Sequence, residues 1–335
     1  MIGDVLHSRY RVVDQLGFGS YCTVWLAWDK TDRRYLALKV GVADVVLHQA
    51  DIIRKLSASQ TSSLAHPGRS SIPISFDEFQ VHGPNETHHR LFPLDVARAL
   101  CGGLTQAIAY MHSRGFAHGD IHLPNTLLKL PSSLDQLSVE EFYEEYGEPE
   151  TVAITKEDKK PLPPNVPTSA VVPIFLGKYA GDLKLCEVQT MLSDSGEALS
   201  HTTPAIRPPE ARYEPGKPLS YSADVWSLAV AIWEILGMKA IFSMEYVPED
   251  EIIAQWIEVL GRWVWPPMEH AFEDGIQKYR KKHNMGLFSS EETTAILDLM
   301  RWMLAFRPEE RPSVEGVLRS EWMVKWVMPD YCRSR

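Results

Sequence analysis

The stretch His118-Gly119-Asp120-Ile121-His122-Leu123-Pro124-Asn125 decides how this chain is read. It follows a segment with helical apolar spacing. It precedes a short apolar run, Thr126-Leu127-Leu128-Lys129-Leu130, that reads as a strand. An Asp and an Asn on one tight polar loop, five residues apart, suit phosphoryl transfer. The Asp can accept a hydroxyl proton, and the Asn carbonyl oxygen can hold a magnesium ion. By itself the triplet His-x-Asp is common, so the rest of the chain has to agree with it.

Upstream, Pro93 or Asp95 opens a helix whose apolar face is Ala97, Leu100, Leu104, Ile108 and Met111, and this helix delivers the chain to His118. Further back, Tyr10 to Val40 alternates like strands, with Gly17-Phe18-Gly19 in a hairpin and Lys39 on the strand after it. Glycines let a hairpin tip approach a triphosphate so that backbone N–H groups contact it. An ammonium among the apolar neighbours of Lys39 is costly unless it meets an anion. Val45 to Leu56 has helical periodicity, 57–71 is Ser-rich and loop-like, and Ile72 to Val81 reads as a strand.

Downstream, 131–170 changes character. Glu140 to Glu150 is an acidic run and Lys160 to Pro167 is Pro-rich, so the segment reads as an inserted, solvated spacer. Order returns at Leu183 to Leu192, followed by Asp194-Ser195-Gly196. A carboxylate there is either part of a turn or a metal ligand. Val225 to Met238 is too short for a membrane span and carries Glu234, so it reads as a buried helix. Glu249 to Leu260 is helical by spacing, and Ser289-x-x-Glu292 reads as a capping box.

Composition narrows the classes. The 335 residues make one large domain or two smaller ones, and 44% apolar content supports a sizeable core. A formal charge of −10 argues against nucleic acid as a direct partner and is compatible with a basic protein substrate. Cys22, Cys101, Cys186 and Cys332 show no C-x-x-C spacing and read as reduced thiols of an intracellular protein. No signal peptide is visible at the N-terminus.

Taken in order, G-x-G, a strand lysine, H-x-D-x-x-x-x-N, D-x-G, P-P-E, D-x-W and a late R-P resemble a eukaryotic protein kinase from Tyr10 to Trp326. Within that family the chain resembles the SR-protein kinases (CMGC group), especially their fungal relatives. Leu16-Gly-Phe-Gly-Ser-Tyr-Cys-Thr-Val-Trp-Leu26, Arg207-Pro-Pro-Glu210, Ser222-Ala-Asp-Val-Trp-Ser-Leu228, Arg311-Pro-Ser-Val and Ser320-Glu-Trp322 carry the likeness. The resemblance implies an α+β, bilobal fold. A small antiparallel lobe over 1–90 would bind nucleotide. A helical lobe over 91–335 would carry the inserted spacer at about 131–180.

The resemblance also implies roles. Asp120 would orient and deprotonate the substrate hydroxyl, and Asn125 and Asp194 would hold Mg2+. Lys39 would hold the α- and β-phosphates of ATP, with Leu16, Gly17, Gly19, Val24 and Ala37 around the nucleotide. Glu210 and Arg311 would pair, and Asp224 would anchor the catalytic loop. The implied protein is a monomeric, cytoplasmic or nuclear Ser/Thr kinase with a protein substrate, Arg/Ser-rich if the subfamily likeness holds.

The chain departs from the pattern at several positions. Cys22 replaces the third glycine, Gln49 stands for the helix glutamate that pairs with Lys39, and Asp51 is its fallback. His122 replaces a lysine, and Ser195 replaces the Phe of D-F-G. Between the strand ending near Val81 and the helix near Asp95 there is little room for a fifth strand and an adenine-binding hinge. Either an exon is skipped or the adenine pocket is truncated. These departures motivate a second reading, a pseudokinase that binds without catalysis. The His-Gly-Asp-x-His loop motivates a third, a small-molecule phosphotransferase.

Overall fold

The computed structural model describes residues 1–19, 22–41, 52–53, 55–56, 66–73, 91–130, 132–156, 161–163, 166–194, 204–213, 220–242, 249–261 and 267–335. The strands are β1 (Val5–Leu6), β2 (Tyr10–Gly19), β3 (Cys22–Asp29), β4 (Arg34–Gly41), β5 (Thr126–Leu128), β6 (Thr151–Ala153), β7 (Ser169–Val171) and β8 (Thr190–Leu192). The helices are α1 (Leu94–Ser113), α2 (Val139–Tyr146), α3 (Pro209–Tyr213), α4 (Tyr221–Gly237) and α5 (Glu249–Leu260). They continue with α6 (Pro267–Phe272), α7 (Lys278–Lys282), α8 (Ser290–Met303), α9 (Val314–Leu318) and α10 (Met328–Arg333).

The chain forms two compact units. The sheet unit contains β1–β4 and, unexpectedly, residues 130–177. β1, β2, β3 and β4 make an antiparallel sheet in sequence order. Cross-strand partners share a face, so the pairs Val24–Lys39, Leu26–Ala37 and Trp28–Tyr35 put Lys39, Ala37 and Tyr35 on one side. Tyr10, Val12, Trp25, Ala27 and Leu38 form a cluster on the other side.

The spacer is not a solvated strip within the helical part. α2 is capped by a complete capping box. The Ser138 side chain accepts from Glu141 N at 3.2 Å, and Glu141 accepts from Ser138 N at 2.8 Å. The acidic residues of the run face solvent. Val139 and Phe142, three apart on one face, are buried with Leu134 against Val13 and Leu26 of the sheet. Phe142 lies 5.4 Å from the Tyr35 ring. Asp135 accepts the Tyr35 backbone N–H at 2.7 Å, and β6 pairs antiparallel with β7. Burial of this apolar stripe explains why an acidic sequence is ordered here.

Within β2, Asp14 is buried, and burial pushes its carboxyl up to about 6 although the Gln15 N–H donates to it at 2.7 Å. The unfolded chain holds this proton less tightly. The folded state therefore loses stability as pH rises from about 4 to about 6, by about 2 kcal/mol. Asp14→Asn removes that cost. Its melting temperature should exceed that of the parent by several degrees at pH 7.5 and by much less at pH 4.5. Equal gains at both pH values would show that ionisation of Asp14 carries no cost.

The helical unit is built on α1 and α4. Almost every α1 side chain from Val96 to Met111 is buried, and α4 buries Trp226 and Trp233 fully. Ser220 caps α4 by accepting from Ala223 N at 3.2 Å. Gly102 and Gly103 of α1 admit close neighbours. A Cβ at Gly103 would lie 2.4 Å from Thr190 Oγ1 of β8, and one at Gly102 would lie 2.8 Å from Tyr331 Cβ of α10. A single 3-10 turn, Pro67–Ser71, packs on the middle of α1, where a Ser-rich loop was expected. Of the expected strand at 72–81, only Ile72 and Pro73 are described; the remainder lies outside the described residues.

Arg98 on α1 forks Glu292 of α8 at 2.8 and 2.6 Å and reaches Asp330 of α10 at 3.2 Å. Trp322 Nε1 also donates to Glu292. The expected capping box at Ser289 is thus half made: Ser289 accepts from Glu292 N, but the Glu292 carboxylate faces inward to Arg98. Arg280 of α7 is fully buried and donates to four backbone carbonyls, those of Leu236, Phe92, Met285 and Gly286, at 2.7 to 3.1 Å. Among the described residues, no helix is long and apolar enough to cross a membrane.

Candidate active site

α1 ends at Ser113, and the loop 118–125 follows it within the helical unit. Its backbone is held by one carboxylate. Asp224, in the first turn of α4 and 1% exposed, accepts from His118 N at 2.7 Å and Gly119 N at 2.9 Å. Its third partner is His112 Nε2 at 2.8 Å, with the His112 ring stacked on Tyr221. Gly119 adopts φ +86°, a left-handed conformation that costs glycine little and lets two successive N–H groups point at one acceptor. The expected anchoring role of Asp224 matches this geometry. The part of His112 was not read from the sequence. Its signal is a histidine closing the last turn of the helix that leads into the loop.

His118 is fully buried. Its Nδ1 accepts from Asp120 N at 3.2 Å and its Nε2 faces Ser193 O at 2.8 Å. One neutral tautomer, with the proton on Nε2, satisfies both contacts. Burial lowers the pKa of His118, which agrees with a neutral ring.

The loop closes on itself through Asn125. Its Nδ2 lies 2.9 Å from Asp120 O, 3.1 Å from Asp120 Oδ2 and 3.1 Å from His122 Nε2. His122 Nε2 is also 3.2 Å from Asp120 Oδ2. A protonated Nε2 donates to the Asp120 carboxylate, and a bare Nε2 accepts from Asn125, so these two contacts are alternatives. Either way the carboxylate of Asp120 is held in place.

Asp194 arrives by a non-local route. β5 pairs antiparallel with β8, Thr126 opposite Leu192, and Ser193 N donates to Asn125 O at 2.9 Å. Asp194, next in the chain, has φ +60°, a strained conformation for a residue with a side chain. The helical unit thus brings Asp120, Asn125 and Asp194 to one corner. Among the described residues, no group of three His, Cys, Asp or Glu is set to bind a metal by itself. A carboxylate and an amide oxygen still fit magnesium, which takes one or two protein oxygens and completes its shell from phosphates and water.

The other expected residues lie in the sheet unit. Leu16, Gly17 and Gly19 are on β2, Val24 is on β3, and Ala37 and Lys39 are on β4. Lys39 is half-buried and Ala37 exposed. Gln49, Asp51, Ser195 and the stretch expected to hold the shortened fifth strand and hinge, apart from Leu91 and Phe92, lie outside the described residues.

Between α3 and the chain's end, Arg311 lies bidentate on Glu210, both contacts at 2.7 Å, and it also donates to three carbonyls, those of Ala305, Phe306 and Ser222. This is the ion pair that the resemblance implies.

A family model described as the protein kinase domain matches residues 180–323. The fold also resembles that of the crystallised PF14_0431 kinase domain. The TM-score is 0.57 at 17% identity, over 96% of this chain and 97% of that one. The chain has the fold of a protein kinase. Rad53 1–466, crystallised with AMP-PNP, shares the kinase fold at a TM-score of 0.54 and 16% identity, over 94% of this chain and 65% of that one. A Ser/Thr protein kinase of Aspergillus fumigatus is 23% identical over 96% of this chain and 86% of its own length. The Ser/Thr-protein kinase spk-1 of Caenorhabditis elegans is 31% identical, and SRSF protein kinase 3 of Homo sapiens 30%, each over 38% of this chain. The matches span 15% of the first and 26% of the second.

Proposed function

We propose that the chain is an ATP- and magnesium-dependent Ser/Thr protein kinase of SR-protein-kinase type, acting on basic, Arg/Ser-rich protein segments. The observation that carries this reading is the corner made by Asp120, Asn125 and Asp194, held by Asp224 beneath the loop. Asp120 accepts the proton of the substrate hydroxyl as its oxygen attacks the γ-phosphorus. The bond to the β-phosphate oxygen breaks, and ADP leaves. Asn125 and Asp194 would hold magnesium, which neutralises charge on the phosphates. Lys39 would neutralise the α- and β-phosphates, with Leu16, Gly17, Gly19, Val24 and Ala37 around the nucleotide. The net charge of −10 favours encounter with basic substrates. We place the enzyme in the cytoplasm or nucleus, acting as a monomer.

The test is transfer of label from γ-labelled ATP, with magnesium, to an Arg-Ser-repeat peptide. The parent should label serine, and Asp120→Asn should lower the rate by about a hundredfold or more. Equal labelling by the variant would remove Asp120 from the mechanism. Tight nucleotide binding without transfer would favour the pseudokinase reading, toward which His122 points because it replaces a fixed positive charge beside Asp120.

A further inference from the structure

We propose that residues 132–156 and 166–176 are a brace on the glycine-bearing strand, and that Tyr143 is a positioning residue for the nucleotide through it. This rests on the kinase reading above.

The ladder between β2 and β3 breaks twice, between Val12 and Asp14 and between Gln15 and Gly17. Such irregularities bend a strand and leave residues out of the pairing. Both lie immediately before Gly17-Phe18-Gly19, where glycine already gives the backbone its greatest freedom. At both breaks the insert supplies a partner. Tyr143 Oη donates to Val13 O at 2.8 Å, and Ile174 N donates to Gln15 O at 2.8 Å.

Apolar packing secures the same stretch. Phe142 is fully buried with Val13 and Leu26. Leu16, expected over the nucleotide, packs against the same cluster with Ile174 and Leu176. Leu26 and Tyr35, which the insert covers, share their sheet face with Ala37 and Lys39. The brace is therefore attached to the face and the strand that the nucleotide would use. A backbone fixed beforehand spares the ligand the entropic cost of ordering it. In sequence the brace lies between Asn125 and Asp194, so one chain segment joins both magnesium-site residues and carries the support of the glycine strand.

The decisive variant is Tyr143→Phe, which deletes one hydroxyl and keeps the ring. Loss of a neutral hydrogen bond should raise KM for ATP about three- to tenfold, and kcat should stay within about twofold of the parent because the change acts on binding alone. Amide exchange over Val12–Gly19 should quicken, and that in α2 should stay unchanged. Tyr146→Phe is the control: its ring also stacks on Phe142, and neither readout should move. A general packing defect would lower the melting temperature without separating KM from kcat. Unchanged exchange over Val12–Gly19 in Tyr143→Phe overturns the brace, whether or not the protein turns ATP over. Faster exchange with unchanged KM overturns the positioning role. If the parent binds no ATP while the variant exchanges faster, the brace stands and the kinase reading falls.

Discussion

Gly68→Ala should destabilise the helical unit by about 3 kcal/mol or more. A Cβ built at Gly68 falls 1.7 Å from the Gln106 backbone oxygen and 2.4 Å from its carbon. The obstacle is the main chain of α1, which is buried along its length and cannot rotate aside as a side chain would. The turn Pro67–Ser71 cannot retreat cheaply either. His66 Nδ1 accepts from Gly68 N at 3.1 Å, Arg335 Nη1 donates to Pro67 O at 2.9 Å, and Ile72 is buried beyond it. Thermal melting followed by far-ultraviolet dichroism should show a drop of roughly 5 °C or more. A drop under a degree would mean that the turn and α1 separate easily in solution.

The second large effect is expected at Asp224. Asp224→Ala leaves the N–H groups of His118 and Gly119 buried without their acceptor, and His112 loses its partner as well. Each stranded buried donor costs about 1–3 kcal/mol, so a total of about 3–5 kcal/mol is expected. Label transfer should fall further than stability alone explains. Asp120 follows directly after the two anchored amides, and a catalytic group displaced by a fraction of its reach can lose about a hundredfold in rate. Urea unfolding and initial rates measured at low temperature, where the variant remains folded, separate the two effects. Full activity in a folded Asp224→Ala protein would show that the loop holds its own shape.

Much of the helical unit was legible in the sequence because its signals are local. The apolar spacing of α1 and α4, the polar loop between Gly119 and Asn125, and the long-range partners Asp224, Glu210 and Arg311 all fell at positions that motif order marks. The β5–β8 pair was harder to foresee. Each strand has three residues, and the contact it sets up, Ser193 with Asn125, joins positions 68 apart. The insert was misread for a physical reason: glutamates dominate 140–150, and composition hides a two-residue apolar stripe. Ser138-x-x-Glu141 was the available signal, since a capping box announces a helix start whatever the charge that follows. Conversely, Ser289-x-x-Glu292 has the same spacing, yet Arg98 takes the glutamate away. Spacing reports which partners are within reach, and tertiary structure decides which one wins.

The Arg280 guanidinium draws the carbonyls of Phe92, Leu236, Met285 and Gly286 into one knot without spending a carboxylate on it. Four peptide oxygens do not titrate, so the knot keeps its grip in acid and in salt alike. Because Phe92 is tied there, α1, which begins two residues later at Leu94, starts from a fixed point.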